Sequence, residues 1–214
     1  MENKMHMKRI ALIMAALAIL ITGCSKGQKF TLKGDMQGAN FKQAADSLIL
    51  QSDDLPTIFT IPVKDGAFSF SGRVPKPVLA TLKEPGKKVV NKPIVLEKGT
   101  ITFENGFPRG TPLNEAYYEL SQQIKETIQA NRENPKATHE AVSKLFHDYL
   151  TQHSNDPSAV IALMTARRYV RPDTMSELIA LTSKSIQHDS HIDKISLELR
   201  LMGAMQQQQA QQAE

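Results

Sequence analysis

The chain reads as an α+β protein: an N-terminal antiparallel β-sandwich-like or open-barrel domain followed by a C-terminal all-helical domain. Three observations predict this. Between Lys29 and Asn105 the apolar residues alternate, or form short runs broken by Gly, Pro and Asp, as short half-buried strands do. After Gly110 the apolar period changes to 3.6, the spacing of an amphipathic helix. Pro112, Pro135 and Pro157 each follow Thr, Asn or Asp, the pairing that opens helices.

Ahead of both parts stands a processing signal. Lys4, Lys8 and Arg9 make a basic start, Ile10 to Ile21 make an apolar run of twelve residues, and Ile21-Thr22-Gly23-Cys24 closes it. This order reads as a bacterial lipoprotein signal, cut before Cys24, whose sulfur then carries acyl chains. Twelve residues are too few for a permanent helical span, which needs about 20. Acyl chains together anchor stably, at roughly 0.8 kcal/mol per buried methylene. The expected organisation is a signal peptide at residues 1–23, a lipidated linker at 24–28, a β domain at 29–108, a helical domain at 109–205 and a Gln-rich disordered tail at 206–214. Membrane lipid, reached through acylated Cys24, is the first expected partner. Ser25, Lys26, Gly27 and Gln28 hold no acidic run of the kind tied to surface export, so the expected location is the periplasm-facing cell envelope.

Composition fits that address. Loss of residues 1–23 takes away three basic side chains and one acidic, leaving 23 against 21 and a net charge near +2. So small a charge, spread along the chain, gives no electrostatic case for nucleic acid. Cys24 is the only cysteine, so lipidation leaves neither a disulfide nor a free thiol. Stability must then come from core burial.

The strands follow in order as Phe30–Met36, Ser47–Ser52, Thr57–Val63, Ala67–Val74, Val78–Glu84, Pro93–Glu97 and Thr100–Glu104. Asp65-Gly66 accepts the positive φ of a type I′ turn. Counting outward pairs Val63 with Phe68 and Ile61 with Phe70, all on one face, with Ser69 and Ser71 on the other. The same count around Lys98-Gly99 pairs Leu96 with Ile101 and Ile94 with Phe103. Two sheets, or one curled sheet, bury both sets.

Thr111-Pro112 opens a first helix with Leu113, Tyr117, Leu120, Ile124 and Ile128 on one stripe. Asn134-Pro135 opens a second through Val142, Leu145, Phe146, Tyr149 and Leu150, and Asp156-Pro157 a third through Val160, Ile161, Leu163 and Met164. Asp173 is expected to cap a fourth through Met175, Leu178 and Ile179. Ser190 with Asp193 resembles a capping box for a fifth containing Ile192, Ile195, Leu199 and Met202. Gln206–Gln212 is of low complexity and expected to fray.

Four segments in this order resemble a known family: Phe30-Thr-Leu32-Lys-Gly34; Asp65-Gly66-Ala67-Phe68-Ser69-Phe70-Ser71-Gly72; Val95-Leu96-Glu97-Lys98-Gly99-Thr100-Ile101; and Gly110-Thr111-Pro112-Leu113-Asn114. Together, over roughly residues 28–115, they look like the domain of unknown function 4369, common at the N-terminus of periplasmic lipoproteins in Gram-negative bacteria. The helices after it, with the Asn155-Asp156-Pro157-Ser158 start, resemble the family's helical connector. Many relatives continue into a thioredoxin-like domain of the peroxiredoxin and thiol-disulfide oxidoreductase type. This sequence carries no C-x-x-C, so the resemblance brings no redox activity, and it brings no catalytic residue for Glu97, Asn114 or any other position.

The remaining chemistry is sparse. The phosphate-loop, zincin and nucleophile-elbow patterns are absent from the sequence. Ser69 and Ser71 read as the solvent face of a strand. His188, Asp189, His191 and Asp193 have metal-ligand types close together, but Ser190 as a cap puts the histidines on either side of a turn, and no further ligand can be placed. His139, His147 and His153, eight and six residues apart, read as solvated. Lys83, Lys87, Lys88 and Lys92 around Pro85-Gly86 could meet anionic head groups or an acidic partner, but read first as a solvated loop guarding strand edges. Arg167, Arg168 and Arg171 offset the third helix's dipole. Glu97 is tempting as a catalytic acid, with a turn-flanking charge as its plainer reading.

The sequence therefore predicts a binding or scaffold module with no catalytic, cofactor or metal residues, lipidated at Cys24, whose envelope partner is a thioredoxin-like thiol-disulfide oxidoreductase. Two alternatives stay open: a hydrolase working in the sheet-helix crevice with Glu97 and one histidine, and an oligomerisation module.

Overall fold

A computed structural model describes residues 27–41, 45–86 and 91–212. The N-terminal part is one curled sheet of eight strands: β1 (Gln28–Asp35), β2 (Ser47–Gln51), β3 (Phe59–Lys64), β4 (Ala67–Val74), β5 (Val78–Lys83), β6 (Asn91–Leu96), β7 (Gly99–Glu104) and β8 (Phe107–Arg109). Their order across the sheet is β6-β5-β2-β3-β4-β1-β7-β8, and the edge strands β6 and β8 approach each other, so the sheet is a nearly closed barrel. Inward residues at every second position, including Phe30, Leu32, Leu48, Leu50, Ile61 and Ile101, fill it.

Asp65 and Gly66 have φ of 51° and 75°, and the turn sets Val63 opposite Phe68 as the sequence predicts. The expected Ile61–Phe70 pair does not form; Ile61 faces Leu48 of β2 instead. Pro62 explains the switch. Val63 gives its N–H to Asp46 O on the β2 side, so alternation puts the Pro62 nitrogen, which has no hydrogen to give, on the β4 side. The β3–β4 ladder stops there. Phe70 remains half-buried against Phe59 and Phe30, with ring centroids 5.0 and 6.0 Å away.

Lys98-Gly99 is not a hairpin. β6 pairs with β5, and β7 pairs antiparallel with β8 and parallel with β1, the one parallel pairing among the described residues. Leu96, Ile101 and Ile94 are all fully buried, as the alternation requires, while Ile101 takes Leu32 as its neighbour. Gly99 has φ of 129°, outside the turn conformation that the hairpin would need.

Six helices follow: α1 (Pro112–Ala130), α2 (Pro135–Gln152), α3 (Pro157–Ala166), α4 (Pro172–Ala180), α5 (Lys184–Gln187) and α6 (Ser190–Gln212). α3 is the centre, with Ser158 to Leu163 and Ala166 all buried. α1 and α2 pack beside it through Tyr117, Leu120, Ile124, Val142, Phe146 and Leu150. The starts are as expected at α1, α2 and α3, but the caps differ in kind. Asn134 accepts from Ala137 N in the expected way. Asp156 makes no such bond and lies 2.9 Å from His153 Nδ1. Arg171, not Asp173, precedes α4, and Asp189, not Ser190, receives the His191 N–H at the start of α6. Ser190 Oγ instead reaches Asp53 Oδ2 of the barrel at 3.0 Å. The Gln-rich end expected to fray is helical through Gln212.

Candidate functional site

Barrel and helices meet where β6 ends and α1 begins. At the end of β6 stands Glu97, only 6% exposed. Its Oε1 accepts from Leu113 N at 2.8 Å and Asn114 N at 3.3 Å, so a barrel carboxylate satisfies the first free N–H groups of α1. A negative charge there also meets the positive end of the helix dipole. Thr111, the residue before the helix, does not perform this task; its hydroxyl accepts from Asn114 Nδ2. Glu97 is thus neither a solvated turn charge nor a free acid.

Asn114 is the second tie, and it is 1% exposed. Its Oδ1 accepts from Val95 N at 3.0 Å and its Nδ2 donates to Val95 O at 2.8 Å. One side-chain amide therefore stands in for a neighbouring strand on the outer edge of β6. Without it a buried N–H and C=O would lose their partners. The sequence does carry a signal for this residue: Asn is a poor helix former, and one in the first turn after Thr-Pro has a reason to be there.

Beside this junction, α2 and α3 bury two hydroxyls, Tyr149 Oη and Ser158 Oγ, and neither meets hydrogen-bond geometry with a described residue. Burial pushes the Tyr149 phenol up to about 12, with the Ser158 hydroxyl pulling the other way. The Tyr149 ring stacks on His153, centroids 4.4 Å apart. Tyr117 Oη and Thr165 Oγ1 are 3.0 Å apart and tie α1 to α3.

On the outer side of the junction Arg109 contacts Glu104 and Glu115, each at 2.7 Å, and lies 3.8 Å over the Tyr118 ring. Burial works to raise the Glu115 carboxyl, but the Gly110 N–H and Arg109 outweigh it and hold that group below its usual range. These contacts fix β8 to α1.

The other residues singled out by sequence do not converge. His188 Nδ1 lies 2.7 Å from Lys184 O, while His191 Nδ1 lies 3.0 Å from Asp189. Among the described residues no group of three or more His, Cys, Asp or Glu could hold a metal ion. His139 Nδ1 is 3.0 Å from Tyr169 O, and His147 lies beside Asp148. Ser69 is exposed, and Ser71 Oγ is 3.0 Å from Thr31 Oγ1 across the strand. Lys83 donates to Gln51 Oε1; Lys92 is half-buried near Gly106, and burial pushes its amine below the usual value. Arg167 ends α3, as expected, and pairs with Glu198 of α6 at 2.7 Å. Cys24, the whole signal segment, Lys87 and Lys88 lie outside the described residues. Among the described residues, no helix is long and apolar enough to cross a membrane.

Residues 26–117 match the family model described as Domain of unknown function (DUF4369). The match therefore spans the barrel, both ties and the first turn of α1. No curated protein and no solved structure matches the chain.

Proposed function

From the DUF4369 domain at residues 26–117, we propose that this chain is a periplasm-facing, membrane-anchored lipoprotein that works as a binding or scaffold module. The observation that carries the reading is the order of Lys4, Lys8 and Arg9, the apolar run, and Ile21-Thr22-Gly23-Cys24. Lipid on Cys24 holds the barrel and helices at the membrane surface. The partner is a separate thioredoxin-like thiol-disulfide oxidoreductase, supplying in trans the domain that similar lipoproteins carry in the same chain.

The position of Glu97 favours binding over the hydrolase alternative. A general acid must come within hydrogen-bond reach of its substrate, whereas Glu97 is buried with its Oε1 on two backbone N–H groups. The contacts of the described histidines are with Tyr169 O, Asp148, Asp156, Lys184 O and Asp189, and none of these is Glu97.

The test is recovery of the protein from its own envelope beside a Cys24→Ser control. The wild-type chain fractionates with membranes and brings down a thiol oxidoreductase; the control is released and does not. Equal fractionation of the two chains would overturn the anchor. A membrane-bound wild type with no enriched thiol oxidoreductase would overturn the partner.

A further inference from the structure

We propose that the basic end of the barrel, formed by Lys29, Arg73, Lys76 and Lys98, is a docking surface for anionic lipid head groups and sets which way the barrel faces on the membrane. This deepens the reading that Cys24 carries lipid, and rests on it. β1 begins at Gln28, and the chain from Cys24 to Gly27 can span at most about 11 Å. The start of β1 is therefore held close to the bilayer.

Strand direction collects charge at that end. β4 runs antiparallel to β1 and β7 parallel to it, so the start of β1, the end of β4 and the start of β7 lie together. Lys29 stands directly opposite Arg73, and Lys98 N donates to Gln28 Oε1 at 3.3 Å. Lys76 follows in the loop that joins β4 to β5. All four residues are exposed, and no ion pair among the described residues includes any of them. Arg73 donates to a neutral group, Gly27 O, at 2.8 Å. Like charges placed directly across two strands repel, and a layer of phosphate head groups relieves that repulsion.

The acids near this end are engaged or lie elsewhere on the rim. Glu97 is held by the N–H groups of α1, and Asp53 accepts from Ser190. Asp53 and Asp54 follow β2, three strands from β1 in the sheet order. At the other end of the same three strands carboxylates mix in: Asp35 closes β1, Asp65 precedes β4, and Glu104 closes β7 and meets Arg109. Lys83 and Lys92 also stand at that far end, where β5 stops and β6 starts. Tether length selects the occupant and the end. The maximum reach from Cys24 is close to the Debye length of about 10 Å at 0.1 M salt, whereas the eight residues of β1 put the far end about 26 Å away. Head-group charge is felt by the first set of cations and screened from the second.

Energy transfer on vesicles tests this. The acylated protein, taken from its own envelope, is reconstituted in phosphatidylcholine, or in phosphatidylcholine with phosphatidylglycerol, with an acceptor dye on a trace of head groups. A donor dye is placed on Thr100→Cys near the basic end or on Ala67→Cys at the far end, both exposed; lipid on Cys24, the only native cysteine, leaves the new thiol as the labelling site. Transfer from the Thr100→Cys donor rises when phosphatidylglycerol is present, and the rise is lost in high salt. The variant Lys29→Gln/Arg73→Gln/Lys98→Gln loses it as well, with unchanged circular dichroism. A Thr100→Cys donor that ignores phosphatidylglycerol, a rise that survives salt or the triple substitution, or an Ala67→Cys donor that approaches instead overturns the orientation and leaves the anchor standing. Release of the protein from both kinds of vesicle overturns the Cys24 reading, and the orientation with it.

Discussion

Asn114 shows how much of this structure depends on single side chains placed between two elements. Its amide completes the edge of β6 from a helix, accepting from Val95 N and donating to Val95 O. Replacing Asn114 by Ala leaves a buried donor and a buried acceptor unpaired, and is expected to cost about 3 kcal/mol, read as a lower urea midpoint with unchanged slope. Asn114→Asp should also destabilise, because a carboxylate cannot donate to Val95 O. Tyr149 gives a pH prediction of definite sign. Its phenol is raised in the folded state, from an ordinary value near 10 to about 12. The favourable contribution is then fully present below about pH 10 and lost as pH rises from about 10 to 12, roughly 2–3 kcal/mol in all. Tyr149→Phe should lack this alkaline step, and near neutral pH it should cost little because the hydroxyl has no well-placed partner. Denaturation curves of both proteins from pH 8 to 12 check this. Glu97 was only partly legible: its type and place between two strands drew attention, but its burial depends on α1 folding over it. Periodicity cannot report such a contact.

Among the elements, local chemistry was readable and long-range pairing was not. Asp65-Gly66 and the apolar alternation give the β3–β4 turn correctly. The proposed β6–β7 hairpin failed although its residues are buried, because alternation fixes which side chains point inward and leaves the neighbouring strand open. The three proline starts were legible for the same local reason, whereas the Glu97 cap on α1 comes from 16 residues away. Gly110 joins β8 to α1, with φ of 87° and a Cβ position 2.6 Å from Thr100 O. Gly110→Ala therefore meets both backbone strain and a clash with a main-chain oxygen, and should cost about 2 kcal/mol or more. Gly66→Ala, at φ of 75° with open space around it, should cost about 1 kcal/mol. Thermal melting of the two variants separates strain alone from strain with a clash.

At the scale of the whole molecule, the change of period at Gly110 correctly divides strands from helices, but the two parts are not independent. Val95, from the barrel's edge strand, belongs to the helical core, with Leu79 and Phe107 packed against the same cluster. Barrel and helices are expected to unfold in one calorimetric transition. A chain cut after residue 117 should lose that cooperativity and expose the β6 face. The sequence could not show this, because every apolar strand residue looks alike until the helices choose which outward face to cover. Intact mass spectrometry of the mature protein, taken from its native envelope, tests the account of a lipid-anchored module most directly. The predicted result is a polypeptide beginning at Cys24 and carrying acyl chains on it; an unacylated chain, or one beginning at another residue, would contradict it.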